Sequence, residues 1–163
     1  MNDAPTGFRD AIAELTPQLR GFARFLARDA ARADDLVQET LLRALENPGA
    51  WQEGTNLRAW LFRILRNAFV DQARRSGREK RLLGALPLRA VEHAAQPGVA
   101  ELGELGRAIA ALPAPQREAI LLVAALEFTV EEAASVTGIA EGTLKARVSR
   151  ARDTLARRLA PRT

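Results

Sequence analysis

Lys145, Arg147 and Arg150, with the hydroxyls of Thr143 and Ser149 among them, crowd onto one segment near the end of a 163-residue chain. Cations and small hydroxyls at this spacing suit one kind of chemistry, the neutralisation of phosphates and the reading of base edges. The same segment repeats Leu144, Val148, Ala151, Leu155 and Leu159 at steps of four, three, four and four. That period predicts a helix with one buried stripe. Its far face carries Gly142, Thr143, Ala146, Ser149 and Arg150, with Lys145, Arg147 and Arg152 on the flanks. Upstream, Thr129 and Glu132 have the spacing of a capping box, and Gly138 marks a tight turn. Residues 129–159 therefore read as a helix-turn-helix whose second helix enters a DNA major groove. A basic amphipathic helix is more often only a solvated one. Here the capped short helix and the glycine turn stand at the distance the DNA-reading motif requires.

The charge distribution points the same way. The net charge of +4 is unevenly spread. Residues 104–140 carry a net −3, and residues 141–163 carry seven Lys or Arg against two Asp or Glu. The positive field is concentrated where phosphates would approach.

A second set lies within 51–75, WQEGTNLRAWLFRILRNAFVDQARR, which holds both Trp residues and two of the six Phe. Leu57, Trp60, Leu61, Ile64, Leu65 and Ala68 can face a core. Arg63, Arg66 and Arg74 fall on another stripe beside Asn67 and Val70. Aromatics mixed with Arg suit single-stranded nucleic acid, although each ring taken alone serves equally well as core. The Asn67 amide can both donate to and accept from a base.

A third set is in 33–46, ADDLVQETLLRALE. Leu36, Val37, Leu41, Ala44 and Leu45 make an apolar side. Asp35, Gln38, Glu39 and Leu42 share the other. A leucine among acids suits contact with a basic partner helix, though single exposed apolar residues are also ordinary.

The elements that must position these sets are helices. Tyr is absent, strand alternation is rare, and Ala, Leu, Arg and Glu dominate. Helices are expected over 8–28 with Pro17 a point of disturbance, over 31–46 up to the breaker Asn47-Pro48-Gly49, and over 57–75 with Asn56 as cap. Further helices are expected over 102–112, stopped by Pro113 and Pro115, and over 116–126. The prediction is an all-α chain of two small helical domains, 8–76 and 102–160. Residues 77–101, broken by Gly and Pro, would form a flexible linker with a short helix near Glu79 to Leu83.

Enzyme chemistry finds little material. There is no Cys, and the single His, His93, falls in the expected linker. No acid pair, phosphate loop or metal-ligand cluster stands out, so no catalytic residue, metal or cofactor is expected. The absence of a long apolar run and of a signal-peptide pattern leads us to expect a cytoplasmic protein without membrane insertion.

With these motifs in view, the chain resembles the bacterial extracytoplasmic-function sigma factors of the sigma-70 family. DDLVQETLLRA resembles region 2.2, NLRAWLFRILRN regions 2.3 and 2.4, LPAPQREAILLV region 4.1, and FTVEEAASVTGIAEGTLKARVSRAR region 4.2. GTNLRAWLFRILRN is also similar to the general-stress-response subgroup, whose members are held by a small helical anti-sigma factor. The resemblance implies three partners: core RNA polymerase, through the coiled coil of its largest subunit and its flap; promoter DNA; and an anti-sigma factor. It implies polymerase contacts at Asp35, Gln38, Glu39 and Leu42. It also implies opening of the −10 element around Arg63, Arg66 and Asn67, and reading of the −35 element by Thr143, Lys145, Arg147, Ser149 and Arg150. The family commonly has Ser where this chain has Ala146, so one hydroxyl contact is lost. A sigma-like decoy that binds an anti-sigma factor without touching DNA is the alternative reading. A decoy has no need of Arg66, Asn67, Lys145 and Arg150.

Overall fold

A computed structural model of the chain describes residues 6–82 and 103–162, with the side chains of 7–77 and 103–162. The described residues are helices and connections, with no strand among them, and they form two compact units.

In the first unit, α1 (Thr6–Ala27), α2 (Ala30–Glu46) and α3 (Leu57–Leu82) pack on one another. Pro17 lies inside α1 without ending it. A proline frees the carbonyl four residues back, here that of Ala13. Ala13 and Pro17 are both exposed, so water can satisfy that group. Arg28, at φ 53, takes the left-handed conformation between α1 and α2. Asp29 then caps α2, its carboxylate accepting from the Arg32 N–H at 3.1 Å. A 3-10 turn at Pro48–Ala50 follows α2.

The core of this unit comprises Phe8, Ile12, Leu19, Phe22 and Ala23 of α1, Leu36, Val37 and Ala44 of α2, and Leu61, Phe62, Leu65 and Ala68 of α3. Phe62, absent from the expected core face, is fully buried and tilts against Phe22 at 5.3 Å between centroids. Trp60 and Ile64, expected in the core, are half-buried. Leu45 is 37% exposed rather than buried; it sits in the last turn of α2 beside exposed Glu46 and Asn47. Thr40 is fully buried, and its hydroxyl donates to the Leu36 carbonyl at 2.7 Å, so it carries no unsatisfied polar group into the core.

The largest departure from expectation is the length of α3. It passes Ser76-Gly77 and ends at Leu82, replacing the short separate helix expected near Glu79 to Leu83. One glycine costs a helix about 1 kcal/mol against alanine but removes no hydrogen bond. The flanking Gln, Arg, Glu and Lys residues are good helix formers and carry the helix through. The rest of the expected linker, with His93, lies outside the described residues, as does Leu102.

In the second unit, α4 (Gly103–Ala110), α5 (Ala114–Ile120) and α6 (Val130–Thr137) surround α7 (Glu141–Leu159). Pro113 and Pro115 begin α5 rather than merely stopping α4, because a first helical turn has N–H groups with no intrahelical partner. A π-helical segment, Leu121–Ala125, continues α5. It closes with a Phe128 N–H to Leu122 carbonyl bond of 2.9 Å around Glu127, left-handed at φ 58. Leu112, Leu122, Val136 and Leu144 are the large fully buried side chains here. Arg117 is also buried, at 5% exposure, and its guanidinium donates to the carbonyls of Ala110 and Leu112 at 3.1 and 3.3 Å. It thereby ties the end of α4 to α5.

Candidate nucleic-acid interface

The helix-turn-helix is built as its sequence directs. The Thr129 hydroxyl accepts from the Glu132 N–H at 3.1 Å, and the Glu132 carboxylate accepts from the Thr129 N–H at 2.9 Å. Gly138 ends α6 in the left-handed region at φ 70, its N–H reaching the Ala134 carbonyl at 2.8 Å. Any side chain there would be strained. Ala140, the residue just before α7, offers no side-chain cap. The first N–H groups of α7 are thus left for solvent or an anion.

Leu144, Val148 and Ala151 of α7 are buried. Leu155 and Leu159, expected on the same buried stripe, are only half-covered, so the stripe fades toward the end of the helix. On the outer side Thr143, Lys145, Ser149 and Arg150 are exposed, while Ala146 and Arg147 are half-buried. Lys145, Arg147 and Arg150 have no ion pair or hydrogen-bond partner among the described residues. The structure therefore places the five residues expected to read the −35 element on one helix, four of them open to solvent.

On α3 the buried seam of Leu61, Phe62, Leu65 and Ala68 turns Arg63 and Asn67 outward, one helical turn apart. Arg63 and Asn67 are exposed and Arg66 is half-buried. Asn67 has no side-chain partner among the described residues. Asn56 caps α3, accepting from the Ala59 N–H at 3.0 Å. In the loop before it, the Thr55 hydroxyl donates to the Gln52 carbonyl at 2.6 Å. The tryptophans have a packing role in this unit. Phe8 meets Trp51 at 5.5 Å and Trp60 at 6.2 Å between ring centroids, which fastens the loop to α1.

On α2, Asp35, Gln38 and Leu42 are exposed, Leu42 at 58%. Glu39 differs from them. It is half-buried, and each of its carboxylate oxygens has a partner: Arg43 Nη2 at 2.6 Å on Oε1 and Gln72 Nε2 of α3 at 3.1 Å on Oε2. Sequence reasoning placed Glu39 with its neighbours but did not find Gln72, because a pairing across 33 positions leaves no local pattern.

Among the described residues no cluster of His, Cys, Asp or Glu could hold a metal ion. No helix among them is long and apolar enough to cross a membrane.

Two helical units, one closing in a helix-turn-helix with an open basic face, define a DNA-contacting transcription protein. Residues 11–79 match the profile of sigma-70 region 2, and residues 102–155 that of sigma-70 region 4. The chain belongs to the extracytoplasmic-function RNA polymerase sigma factors of the sigma-70 family. It is 47% identical over 150 residues to the sigma factor EcfG of Rhodopseudomonas palustris, covering 90% of this chain and 82% of that one. Its fold is similar to that of the sigma factor RpoE of Bartonella quintana, solved in complex with the anti-sigma factor NepR. That match has a TM-score of 0.80 and 41% identity, and covers 97% of this chain and 100% of the other. It is also similar to CnrH, solved with the cytosolic domain of CnrY, with a TM-score of 0.66 and 27% identity, covering 92% and 85% of the two chains.

Proposed function

We propose that this sigma factor is a promoter-specificity subunit that divides its work among three helices. In the first domain, 8–76, α2 docks on the coiled coil of the largest polymerase subunit through Asp35, Gln38, Glu39 and Leu42. On α3, Arg63, Arg66 and Asn67 hold the opened −10 element. Extruding a base costs a few kcal/mol, which an amide and two guanidiniums near the strand can offset. In the second domain, 102–160, α7 enters the −35 major groove with Thr143, Lys145, Arg147, Ser149 and Arg150. That domain also meets the polymerase flap.

The observation that carries this reading is the outer side of α7. Lys145 and Arg150 are exposed, with no partner among the described residues, on a helix whose opposite side is buried. A protein that only sequesters another has no use for them there. Similarity to a sigma factor solved with the anti-sigma factor NepR supports control by an anti-sigma factor, and the resemblance of GTNLRAWLFRILRN to the general-stress-response subgroup supports a role in stress.

The test measures binding of the full chain, with core polymerase present, to promoter-containing DNA and to an anti-sigma factor. The double variant Lys145→Ala, Arg150→Ala is expected to lose DNA binding and keep anti-sigma binding. A wild-type protein that binds the anti-sigma factor but no DNA, even with polymerase, would identify a decoy and overturn the reading.

A further inference from the structure

The geometry points to Gln72 as a positioning residue for the polymerase-docking face, acting through Glu39. The inference rests on the reading of α2 as that face.

Glu39 sits at the seam where the exposed side of α2 turns toward α3. Its side chain is 32% exposed, while Asp35, Gln38 and Leu42 around it are open. Arg43, one turn along the same helix, takes Oε1 at 2.6 Å. That contact holds the carboxylate along the helix axis only. The Gln72 amide comes from α3 and takes Oε2 at 3.1 Å, which fixes the carboxylate sideways. Gln72 is itself half-buried.

A carboxylate offers about four lone-pair sites, and two are used here. Room remains for a cation from a partner without breaking either bond. A glutamate on an open helix face would have to give up its rotamer freedom when the partner arrives. Here that loss is incurred during folding, so association is opposed less. Gln72 lies on the same helix as Asn67, five residues further on. The side chain that orders the docking face is thus rooted in the helix proposed to hold the −10 strand. Arg43 alone would leave the docking face self-contained within α2.

The experiment measures the affinity of the full chain for core polymerase, with thermal unfolding followed alongside. Four variants are compared with wild type: Glu39→Ala, Gln72→Met, Gln72→Lys, and Glu39→Ala with Gln72→Met. Methionine keeps the stem and removes the donor; lysine restores a donor. Gln72→Met is expected to weaken polymerase binding about two- to tenfold, the scale of one side chain's rotamer freedom lost on association. Gln72→Lys is expected to recover most of that loss. In the Glu39→Ala background, Gln72→Met is expected to add nothing. Unchanged affinity in Gln72→Met, or an equal loss with and without Glu39, would overturn the inference while leaving the docking face intact. Unchanged affinity in Glu39→Ala would instead remove Glu39 from the docking face, and the inference with it.

Discussion

Thr129 and Glu132 exchange two hydrogen bonds across the entrance to α6, each side chain accepting from the other's backbone N–H. This pair fixes where the first helix of the DNA-reading motif begins. Gly138, left-handed at φ 70, fixes where it ends. Since α6 packs on α7, these two points help set the angle at which the basic helix is presented. Thr129→Ala is expected to lower the stability of the second unit by about 1 kcal/mol, read by urea denaturation. A loss near zero would mean that the cap is redundant with tertiary packing.

On α7, Lys145 and Arg150 are exposed and have no partner among the described residues, so removing them is expected to leave the fold alone. The double alanine variant is expected to unfold at the wild-type temperature. Each phosphate contact contributes roughly 0.9 to the slope of log affinity against log salt concentration, so two lost contacts flatten it by up to about 1.8. DNA-binding titrations at several salt concentrations check this. A parallel line with lower affinity would assign the two residues to base edges rather than phosphates.

Leu42 is 58% exposed, whereas Leu36 of the same helix is fully buried. Leu42→Asp is expected to leave thermal stability within about 0.5 kcal/mol of wild type. It should weaken core-polymerase binding about tenfold or more, as loss of an apolar anchor does. Leu36→Ala is expected to do the reverse in kind, costing about 2–5 kcal/mol of stability. Calorimetry beside a polymerase-binding assay separates the two.

Phe62 is fully buried between α3 and α1, in ring contact with Phe22. Phe62→Ala is expected to cost about 3–5 kcal/mol, enough to unfold much of the first unit. A denaturation midpoint unchanged from wild type would contradict the burial.

Phe62 also shows where sequence reading reached its limit. The helical period of 57–68 correctly gave Leu61, Leu65 and Ala68 as core. A stripe on a helix wheel has soft edges, however. Which flanking ring turns inward depends on the opposing surface, here Phe22, and not on spacing. Leu45, expected on the apolar side of α2, is 37% exposed for the same reason, and Thr40, which no pattern singled out, is buried. Local signals fared better. The Thr129 box, the Gly138 turn and the Asn56 cap act within four residues, and all three formed as read. Gly77 misled because a glycine punctuates a helix only when its neighbours are poor helix formers. The Glu39–Gln72 bond had no signature in the sequence, since it depends on how α2 meets α3.

In the proposed function, α2, α3 and α7 act together to start transcription at chosen promoters. Run-off transcription tests it most directly, using core polymerase, the full chain and genomic fragments recovered with their complex. The expected result is a product of defined length that requires the wild-type chain and falls to background with Lys145→Ala, Arg150→Ala. A complex that binds those fragments yet yields no promoter-dependent transcript, or a double variant that transcribes as well as wild type, would contradict it.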